Sequence, residues 1–338
     1  MSKPPFEIND NIINMVAEIT NKLGKLEAVL ENKIDLRLRK ASKIKSVNSS
    51  CAIEANSLTE QQVAGVINGK KVIALPEEII EVKNAYAAYM KIDEYKSFEI
   101  KSFLEAHFCL TENLIKDAGK IRSGDVAVYD EGKVVHMGAR PQFIYGLLDD
   151  LFTWARETQL NPLMKACVLH YEIETIHPFS DGNGRIGRLW QSVVLYHYNK
   201  LFELIPIETL VYENQQSYYE AIESSRKNNS STVFIEFMLE MILRAIDSIN
   251  GDTDELHRIK STYLDSLTKN EKEMLRIIIR SFDQGDYFSM ENLNGKTHMA
   301  TSSIRNYLKK FTDAEILIAT GKNRGRKYKI NQNVIQKG

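Results

Sequence analysis

The chain has 338 residues, and its 44 lysines and arginines nearly balance 45 aspartates and glutamates, which excludes a chain-wide charge bias toward nucleic acid or anionic membranes. At roughly 150 residues per domain, this length suggests about two domains. The cysteines Cys51, Cys109 and Cys167 are widely spaced and form no CxxC pair, so neither a disulfide framework nor a structural zinc site is expected. The N-terminus lacks the hydrophobic segment of a signal peptide, and no apolar run approaches the roughly 20 residues that span a bilayer, so we expect a cytoplasmic protein.

Helical periodicity dominates the first 250 residues. Apolar residues recur at three- and four-residue steps between Ile12 and Leu30, which is typical of an amphipathic helix. A second such pattern follows Pro76, with acidic residues in the first turn, where the helix dipole favours them. Further helices are predicted over residues 100–118, 141–158, 162–174, 184–199 and 232–249. The predicted fold class is therefore mainly α.

One segment departs from the helical pattern. Residues 124–138 alternate apolar and polar side chains around Asp130-Glu131-Gly132, which predicts a β-hairpin. A single hairpin in a helical protein needs either a partner strand or a functional task.

The C-terminal part of the chain has a different character. Residues 250–268 are polar and charged, and we expect a domain boundary there. The pattern that follows predicts a helix over 271–282, a short helix at Met290–Leu293, a helix over 300–311 and two strands joined by a basic turn at Lys322–Lys327. This order resembles that of winged-helix domains.

Basic residues are in excess in this C-terminal part. Residues 268–338 contain 14 lysines and arginines against 7 aspartates and glutamates, and the turn together with Arg305, Lys309 and Lys310 holds much of the excess. A basic helix and a basic turn favour binding to the DNA backbone. Protein contact or dimerisation is the alternative role for such a domain.

The most informative run is Ile176–Arg188, IHPFSDGNGRIGR. Three glycines within six residues permit backbone N–H groups to approach an anion closely, because no Cβ stands in the way. The helix that begins in this run adds unpaired N–H groups and a positive dipole end, which suit a phosphate group. Arg185 and Arg188 are three residues apart on the first turn, and two guanidinium forks there indicate a polyphosphate rather than a single phosphate.

Two further residues of this run suggest chemistry. A carboxylate at Asp181 would repel bound phosphates unless a cation intervened, and Mg2+ is expected because it combines one or two carboxylates with water and phosphate oxygens. His177 ends the preceding helix, and its neutral imidazole can accept a proton near pH 7. Taken singly, these residues have ordinary explanations as a helix cap, an Asx-turn and a solvated arginine face. Their combination at this spacing favours phosphate binding.

The residues from His177 to Arg188 match HPFx(D/E)GNGRxxR at every specified position, and the chain therefore resembles the Fic family. The wider resemblance covers about residues 100–245, including the hairpin, the helix before the motif and Tyr218-Tyr219. It implies a Fic-type helical bundle with a β-hairpin flap. The expected domains are an N-terminal helical region over 1–97, the Fic catalytic domain over 98–250, a linker over 251–267 and the winged-helix domain over 268–338.

The resemblance also implies an activity, the transfer of AMP from ATP, with Mg2+, onto a Ser, Thr or Tyr hydroxyl of a target protein. His177 would take the proton from that hydroxyl, and Asp181 would hold Mg2+ against the α- and β-phosphates. Arg185 and Arg188 would hold the β- and γ-phosphates and favour departure of pyrophosphate. The implied nucleotide-binding positions are Gly182, Asn183, Gly184, Arg185, Ile186, Gly187, Arg188, Tyr218 and Tyr219.

The hairpin resembles the flap of the family, which pairs with the target backbone as an added strand and closes over the nucleotide. Val134, Val135 and His136 are the flap positions expected to contact the target. Tyr218-Tyr219 resembles the pair that packs near the base and sugar. Related proteins often carry Asn seven residues after the second tyrosine, and Arg226 stands there instead.

An upstream segment, Ser50-Cys51-Ala52-Ile53-Glu54-Ala55-Asn56, resembles the inhibitory motif (S/T)xxxE(G/N) of Fic proteins. Ser50 and Glu54 match the motif, while Ala55 replaces the usual Gly or Asn. The resemblance implies that Glu54 pairs with Arg188 and occupies the fork that would otherwise bind the γ-phosphate. The alternative is an ordinary surface glutamate on a helix. The position of the segment resembles the class in which the inhibitory helix precedes the Fic core.

Three activities are consistent with these features. The first is AMP transfer to protein, inhibited by Glu54. The second is a DNA-binding regulator whose Fic domain senses nucleotide without turnover; the intact His177 favours the enzyme, because sensing needs no base. The third is removal of AMP by hydrolysis, with Glu54 orienting a water. A homodimer is also expected, because Fic proteins of this layout often form one.

Overall fold

A computed structural model of the protein describes residues 3–30, 36–130, 133–257, 267–282, 287–297, 299–314, 316–321 and 326–331. The chain separates into two compact units, Met1–Ile246 and Asp247–Gly338. Across these described ranges, no helix is both long enough and apolar enough to cross a membrane.

The described part of the first unit is helical apart from one hairpin. Its elements in chain order are α1 (Asp10–Leu30), α2 (Leu36–Ile53), α3 (Glu60–Ile67), α4 (Pro76–Met90), α5 (Ile100–Thr111), β1 (Ala127–Asp130), β2 (Lys133–Met137), α6 (Pro141–Glu157), α7 (Pro162–Ile176), α8 (Asn183–Tyr198), a 3-10 turn (Lys200–Leu204), α9 (Ile207–Glu213), α10 (Gln215–Lys227) and α11 (Thr232–His257). Proline opens α4, α6 and α7, because its fixed φ suits a helix start and its missing N–H would have no partner there.

The buried centre of this unit is the pair α7 and α8, which pack against each other. α7 is buried on nearly all sides, and such a helix carries apolar residues all round rather than on one stripe. An aromatic cluster joins four elements, with ring centroids 5.2 to 5.9 Å apart. Its members are Phe103 of α5, Phe152 of α6, Phe179 of the α7–α8 loop and Trp190 of α8. The cluster anchors that loop to the core.

A buried carboxylate fixes the position of α2. Glu208 of α9 is only 3% exposed. It accepts hydrogen bonds from the hydroxyls of Ser46 in α2 (2.7 Å), Tyr89 in α4 (2.8 Å) and Ser192 in α8 (2.7 Å). Removing a buried carboxylate from water is costly unless such donors surround it. These three contacts therefore tie α2, which leads into the predicted inhibitory segment, to α4, α8 and α9.

The hairpin lies between α5 and α6, as the alternation of residues 124–138 predicts. β1 and β2 are antiparallel, with Ala127 opposite Met137 and Asp130 opposite Lys133, and the register shifts between Val128 and Tyr129. The central turn at residues 131–132 lies outside the described part of the chain.

The second unit contains its own apolar core and a small sheet. After the end of α11, the described elements are α12 (Lys269–Ser281), β3 (Phe288–Ser289), α13 (Met290–Asn294), α14 (Thr301–Asp313), β4 (Leu317–Thr320) and β5 (Lys327–Ile330). The strands are antiparallel in the order β3-β5-β4. The core includes Met274, Leu275, Phe288, Ile304 and Leu308, all at most 1% exposed.

The structure adds α3, α9 and α10, which were not predicted from the sequence, and differs from the sequence-based expectations at three further places. The helix predicted over 100–118 ends at Thr111, because Asn113 adopts φ 62° and the chain folds back onto α5 at Gly119. α11 continues to His257, into the predicted linker. The C-terminal sheet has a third strand, β3, whose two residues are too few to produce a periodic pattern.

Candidate active site

The α7–α8 loop begins at His177, which ends α7 in the left-handed conformation, with φ 53° and ψ 61°. Arg122 supports this strained residue, since its Nε donates to the carbonyl oxygen of His177 at 2.8 Å. The other two nitrogens of the same guanidinium donate to the carbonyls of Gly124 and Ala139, each at 2.6 Å. One buried arginine thus joins the end of α7 to both ends of the hairpin.

The imidazole of His177 is oriented to act as a base. Its Nδ1 lies 3.3 Å from the carbonyl oxygen of Glu174, and a carbonyl only accepts, so Nδ1 carries the proton and Nε2 keeps a lone pair. Burial lowers the pKa of His177 to about 4. The ring is therefore neutral near pH 7, which a proton acceptor requires.

The rest of the loop is held by its own side chains and by α5. Asn183 bridges the loop, since its Oδ1 accepts from the Phe179 N–H and its Nδ2 donates to the Phe179 carbonyl, both at 2.9 Å. His107 accepts from the Gly119 N–H at Nδ1, so its Nε2 donates to the Asp181 carbonyl at 2.9 Å. The ring of His107 also stacks on Phe179, with centroids 3.5 Å apart. These contacts hold the backbone around Asp181 in place.

Two glycines of the motif meet a steric requirement. Gly182 precedes α8 with φ 80°, and a Cβ there would lie 2.9 Å from the Cγ2 of Thr111. Gly184 lies in the first turn of α8, and a Cβ there would collide with the carboxylate of Glu54. Without a Cβ at these two positions, an anion can approach the N–H groups of the first turn of α8, as anion binding at a helix N-terminus requires.

Asp181 is the carboxylate nearest the exposed side of the loop. Its side chain is 60% exposed, its Oδ1 accepts from the Gly182 N–H at 2.6 Å and it lies 3.3 Å from a terminal nitrogen of Arg185. The described residues contain no group of three or more His, Cys, Asp or Glu side chains that would hold a metal by themselves. A single exposed carboxylate fits Mg2+, which takes its remaining ligands from water and phosphate oxygens.

Arg188 is 3% exposed, and its Nε and one terminal nitrogen donate to the predicted inhibitory segment. Its Nε donates to the Ser50 hydroxyl at 3.1 Å, and one terminal nitrogen donates to the Ser50 carbonyl at 3.0 Å and to Glu54 Oε1 at 2.7 Å. Burial lowers the pKa of Arg188, but the Glu54 carboxylate, together with Tyr218 and Glu174, raises it, and the net shift is upward. The fork expected to bind the γ-phosphate therefore carries a carboxylate already.

The backbone explains how Glu54 reaches this position. The Asn56 N–H donates to the Cys51 carbonyl at 3.1 Å and the Ala55 N–H to the Ala52 carbonyl at 3.0 Å, and this pair of bonds is the Schellman motif that ends a helix. Ala55 adopts φ 68°, the left-handed conformation that this position requires. Glu54 is the last residue before the reversal, so its side chain projects from the end of α2 toward α8.

Arg185, one turn before Arg188 on α8, is 6% exposed. One terminal nitrogen lies 2.6 Å from Oε1 of Glu81 in α4, and the other lies 3.3 Å from Asp181. Oε2 of Glu81 accepts from the Asn56 amide at 2.7 Å. Neither Glu81 nor Asn56 was predicted from the sequence to have a role in the site. No sequence signal identifies Glu81, which lies 104 positions before Arg185 among other acidic residues.

Tyr218 and Tyr219 occupy different environments. Tyr218 is buried, with its hydroxyl 3.0 Å from Nε2 of His170 and 3.4 Å from Glu174. Tyr219 is half-exposed, and its hydroxyl lies 3.5 Å from the Ile53 carbonyl at the end of α2. Tyr219 therefore contacts the helix that bears Glu54.

Glu174 and His170 form a buried polar group behind Tyr218 that the sequence analysis also missed. Burial raises the pKa of Glu174 to about 7 and lowers that of His170 to about 3. A carboxylate three residues before His177, on a mostly apolar helix, is the signal that could have identified it. Gly187 packs against both side chains, with the nearest at 3.0 Å from a Cβ placed there.

The flap residues are only partly described. β2 pairs Val134 with Tyr129, but the side chains of Val134 and Val135 lie outside the described part of the structure. His136 turns inward, with Nε2 2.8 Å from the Thr175 carbonyl and its ring 6.2 Å from that of His177. Burial lowers the pKa of His136, and the charge of Arg226 lowers it further. Of the basic C-terminal turn, residues 322–325 are likewise outside the described part.

Comparisons with known proteins identify relatives of this chain. Residues 97–195 match the family model described as the Fic/DOC family. The crystal structure of a Fic family protein from Desulfovibrio desulfuricans G20 is 31% identical, covers 98% of this chain and 99% of that chain, and has a TM-score of 0.73. Fic-1 from C. elegans has the same fold at 21% identity, with a TM-score of 0.58 over 71% of this chain and 72% of that chain.

Curated relatives carry the same family name. The protein adenylyltransferase Fic of Nematostella vectensis is 25% identical over 251 residues, which is 71% of this chain and 56% of that protein. The protein adenylyltransferase fic-1 of Caenorhabditis briggsae is 29% identical over 177 residues, or 48% of this chain and 34% of that protein. The aligned region thus spans between a third and just over half of these relatives.

Proposed function

Because the chain belongs to the Fic family, we propose that it is a protein adenylyltransferase, which transfers AMP from ATP onto a Ser, Thr or Tyr hydroxyl of a target protein. The observation that carries this proposal is the juxtaposition of a neutral imidazole at His177 with the first turn of α8 and its two arginines. Curated relatives named protein adenylyltransferase support the same activity.

Each residue of the loop has a task in this reaction. Nε2 of His177 takes the proton of the target hydroxyl, whose oxygen attacks the α-phosphorus of ATP. The bond between that phosphorus and the bridging oxygen breaks, and pyrophosphate leaves with the electron pair. Arg185, Arg188 and the N–H groups of the first turn of α8 hold the phosphates. Asp181 would hold Mg2+, which neutralises phosphate charge when bound.

We propose further that Glu54 inhibits this reaction by occupying Arg188. A Glu54→Gly variant removes one charge-assisted contact, and we expect AMP transfer to rise roughly tenfold or more, the factor that corresponds to such a contact. Labelled ATP measures the transfer, with automodification as the readout when no target is known. An unchanged rate in a folded Glu54→Gly protein would exclude inhibition by Glu54.

His177→Ala in the Glu54→Gly background tests the base. Loss of general-base catalysis lowers such rates by about 100- to 10,000-fold, while binding of ATP remains because the imidazole holds no phosphate. Calorimetry measures the binding and labelled ATP measures the transfer. Persistent labelling would remove His177 from the role of base. Release of AMP from a labelled target, dependent on Glu54, would instead favour the hydrolytic activity.

DNA binding by the second unit is a further proposal. Arg305 and Lys309 are exposed on α14, while Ile304 and Leu308 of the same helix face the core, so one face of the helix is basic. Retention of the chain on duplex DNA at low salt, decreasing as salt rises, is expected, and Arg305→Glu with Lys309→Glu should abolish it. Absence of retention at low salt would favour protein contact.

A cytoplasmic location and a homodimer complete the proposal. Cys51, Cys109 and Cys167 are free thiols, which is typical of a reducing compartment. Family resemblance supports the homodimer. Light scattering of the full chain tests it, with twice the protomer mass of 38.7 kDa expected.

A further inference from the structure

Arg185 and Arg188 of α8 each contact a carboxylate, and the two carboxylates come from different elements. Glu54, at the end of α2, contacts Arg188 at 2.7 Å, and Glu81, in α4, contacts Arg185 at 2.6 Å. The first contact follows from the inhibitory motif. The second has no counterpart in any motif of the sequence.

The charges around Arg185 are unfavourable for a phosphate ligand. Its single positive charge faces two carboxylates, Glu81 and Asp181, so the group as a whole is negative. Nε of Arg185 is buried and has no hydrogen-bond partner among the described residues, so the terminal nitrogens contact the carboxylates while one donor is left unpaired there. An incoming triphosphate would be repelled by Glu81 even after Asp181 had engaged a cation.

Glu81 is also coupled to the inhibitory segment. Asn56, two residues after Glu54, donates to Glu81 Oε2 at 2.7 Å and to the Glu78 carbonyl at 3.2 Å. The Asn56 N–H is at the same time one of the two bonds of the Schellman turn that aims Glu54. A displacement of this turn therefore affects the carboxylates on both arginines.

We propose that Glu81 is a second inhibitory carboxylate, held on Arg185 by Asn56 and released together with Glu54. This inference rests on the proposed function, because it concerns the regulation of the same phosphate site. In this mechanism Glu54→Gly relieves only one of the two arginines, and full affinity for the nucleotide needs the loss of both contacts.

The test is the affinity for MgATP, measured by calorimetry, of Glu54→Gly with and without Glu81→Gln. We expect the double variant to have a Kd about tenfold lower, the factor that corresponds to one charge-assisted hydrogen bond. Glu54→Gly with Glu77→Gln is the matched control, because Glu77 is an exposed residue of the same helix, and its Kd should equal that of Glu54→Gly.

A Kd that is unchanged or higher in the double variant would overturn the inference, since Glu81 would then be neutral or would orient Arg185 for the nucleotide. Thermal unfolding checks that Glu81→Gln folds. If it does not, Glu81→Asp retracts the carboxylate by one methylene and should lower the Kd in the same direction. Absence of MgATP binding in Glu54→Gly itself would overturn the proposed function, whereas normal binding there, insensitive to Glu81, overturns only this inference.

Discussion

The chemistry proposed for His177 depends on the surroundings of one ring. The Glu174 carbonyl selects the tautomer, and burial keeps the ring neutral. A histidine in solution, with a pKa of about 6.5, would be partly protonated in the cell and partly unable to accept a proton. Burial of His177 keeps the ring almost entirely neutral, so that nearly all molecules can accept a proton.

NMR titration of the His177 ring signal measures this directly. We expect the signal to titrate near pH 4, because burial lowers the pKa to about 4, and to stay unchanged from pH 8 to about 5. His177→Ala identifies the signal by its disappearance. A midpoint near 6.5 would show that the ring is solvated.

The lowered pKa of His177 also makes the stability of the folded protein depend on pH. The folded pKa of His177 lies below that of the unfolded chain, about 6.5, so the unfolded chain takes up the proton first as the pH falls. Protonation of the unfolded chain therefore lowers the free energy of unfolding as the pH falls from about 6.5 toward 4. Above about pH 6.5 this loss of stability is absent.

At the scale of elements, the end of α2 is the feature on which the proposed inhibition depends. Its Schellman turn requires a left-handed residue, and Ala55 adopts that conformation at φ 68° although its Cβ disfavours it. Glycine would adopt it without that cost, which is the physical reason why glycine suits this position of the motif.

Ala55→Gly should therefore raise the free energy of unfolding by about 1 kcal/mol, less than the full cost of a left-handed alanine because glycine also loses more backbone entropy. Urea denaturation measures the difference. The matched control is Ala52→Gly, three residues earlier within the helix, which should lower the stability by about 1 kcal/mol. Destabilisation by both substitutions would contradict the left-handed assignment of Ala55.

At the scale of the molecule, every described contact of the site belongs to the first unit. The residues of the site, from Ser50 to Tyr219, precede the division between Ile246 and Asp247. The second unit has a separate apolar core. Nucleotide binding is therefore expected to be independent of the second unit.

A Glu54→Gly chain truncated after His257, where α11 ends, tests this independence. Its Kd for MgATP should equal that of full-length Glu54→Gly within a factor of about two, because no described contact of the site is removed. Calorimetry gives the Kd, and circular dichroism confirms that the truncated chain is folded. A large loss of affinity in a folded fragment would assign the second unit a part in the site.

The sequence alone determined the features that depend on neighbouring residues. The helices that begin at Pro141 and Pro162, the helix after the glycine-rich run, the hairpin and the loop from His177 follow from periodicity, turn residues and contiguous side chains, because their physics is local. The pairing of Glu54 with Arg188 was also predicted, through the motif around Ser50. The structure contains that pair at 2.7 Å.

Only the tertiary structure decided which distant groups complete the site. Glu81 contacts Arg185, and Glu208 accepts hydrogen bonds from hydroxyls of α2, α4 and α8. Most of these pairs are more than 100 residues apart in the chain. No periodicity or spacing records such pairs, because they arise where packed helices happen to bring side chains together. Burial, which sets the protonation of His177 and Glu174, is likewise a property of the packed molecule, since water is excluded only once the helices have assembled.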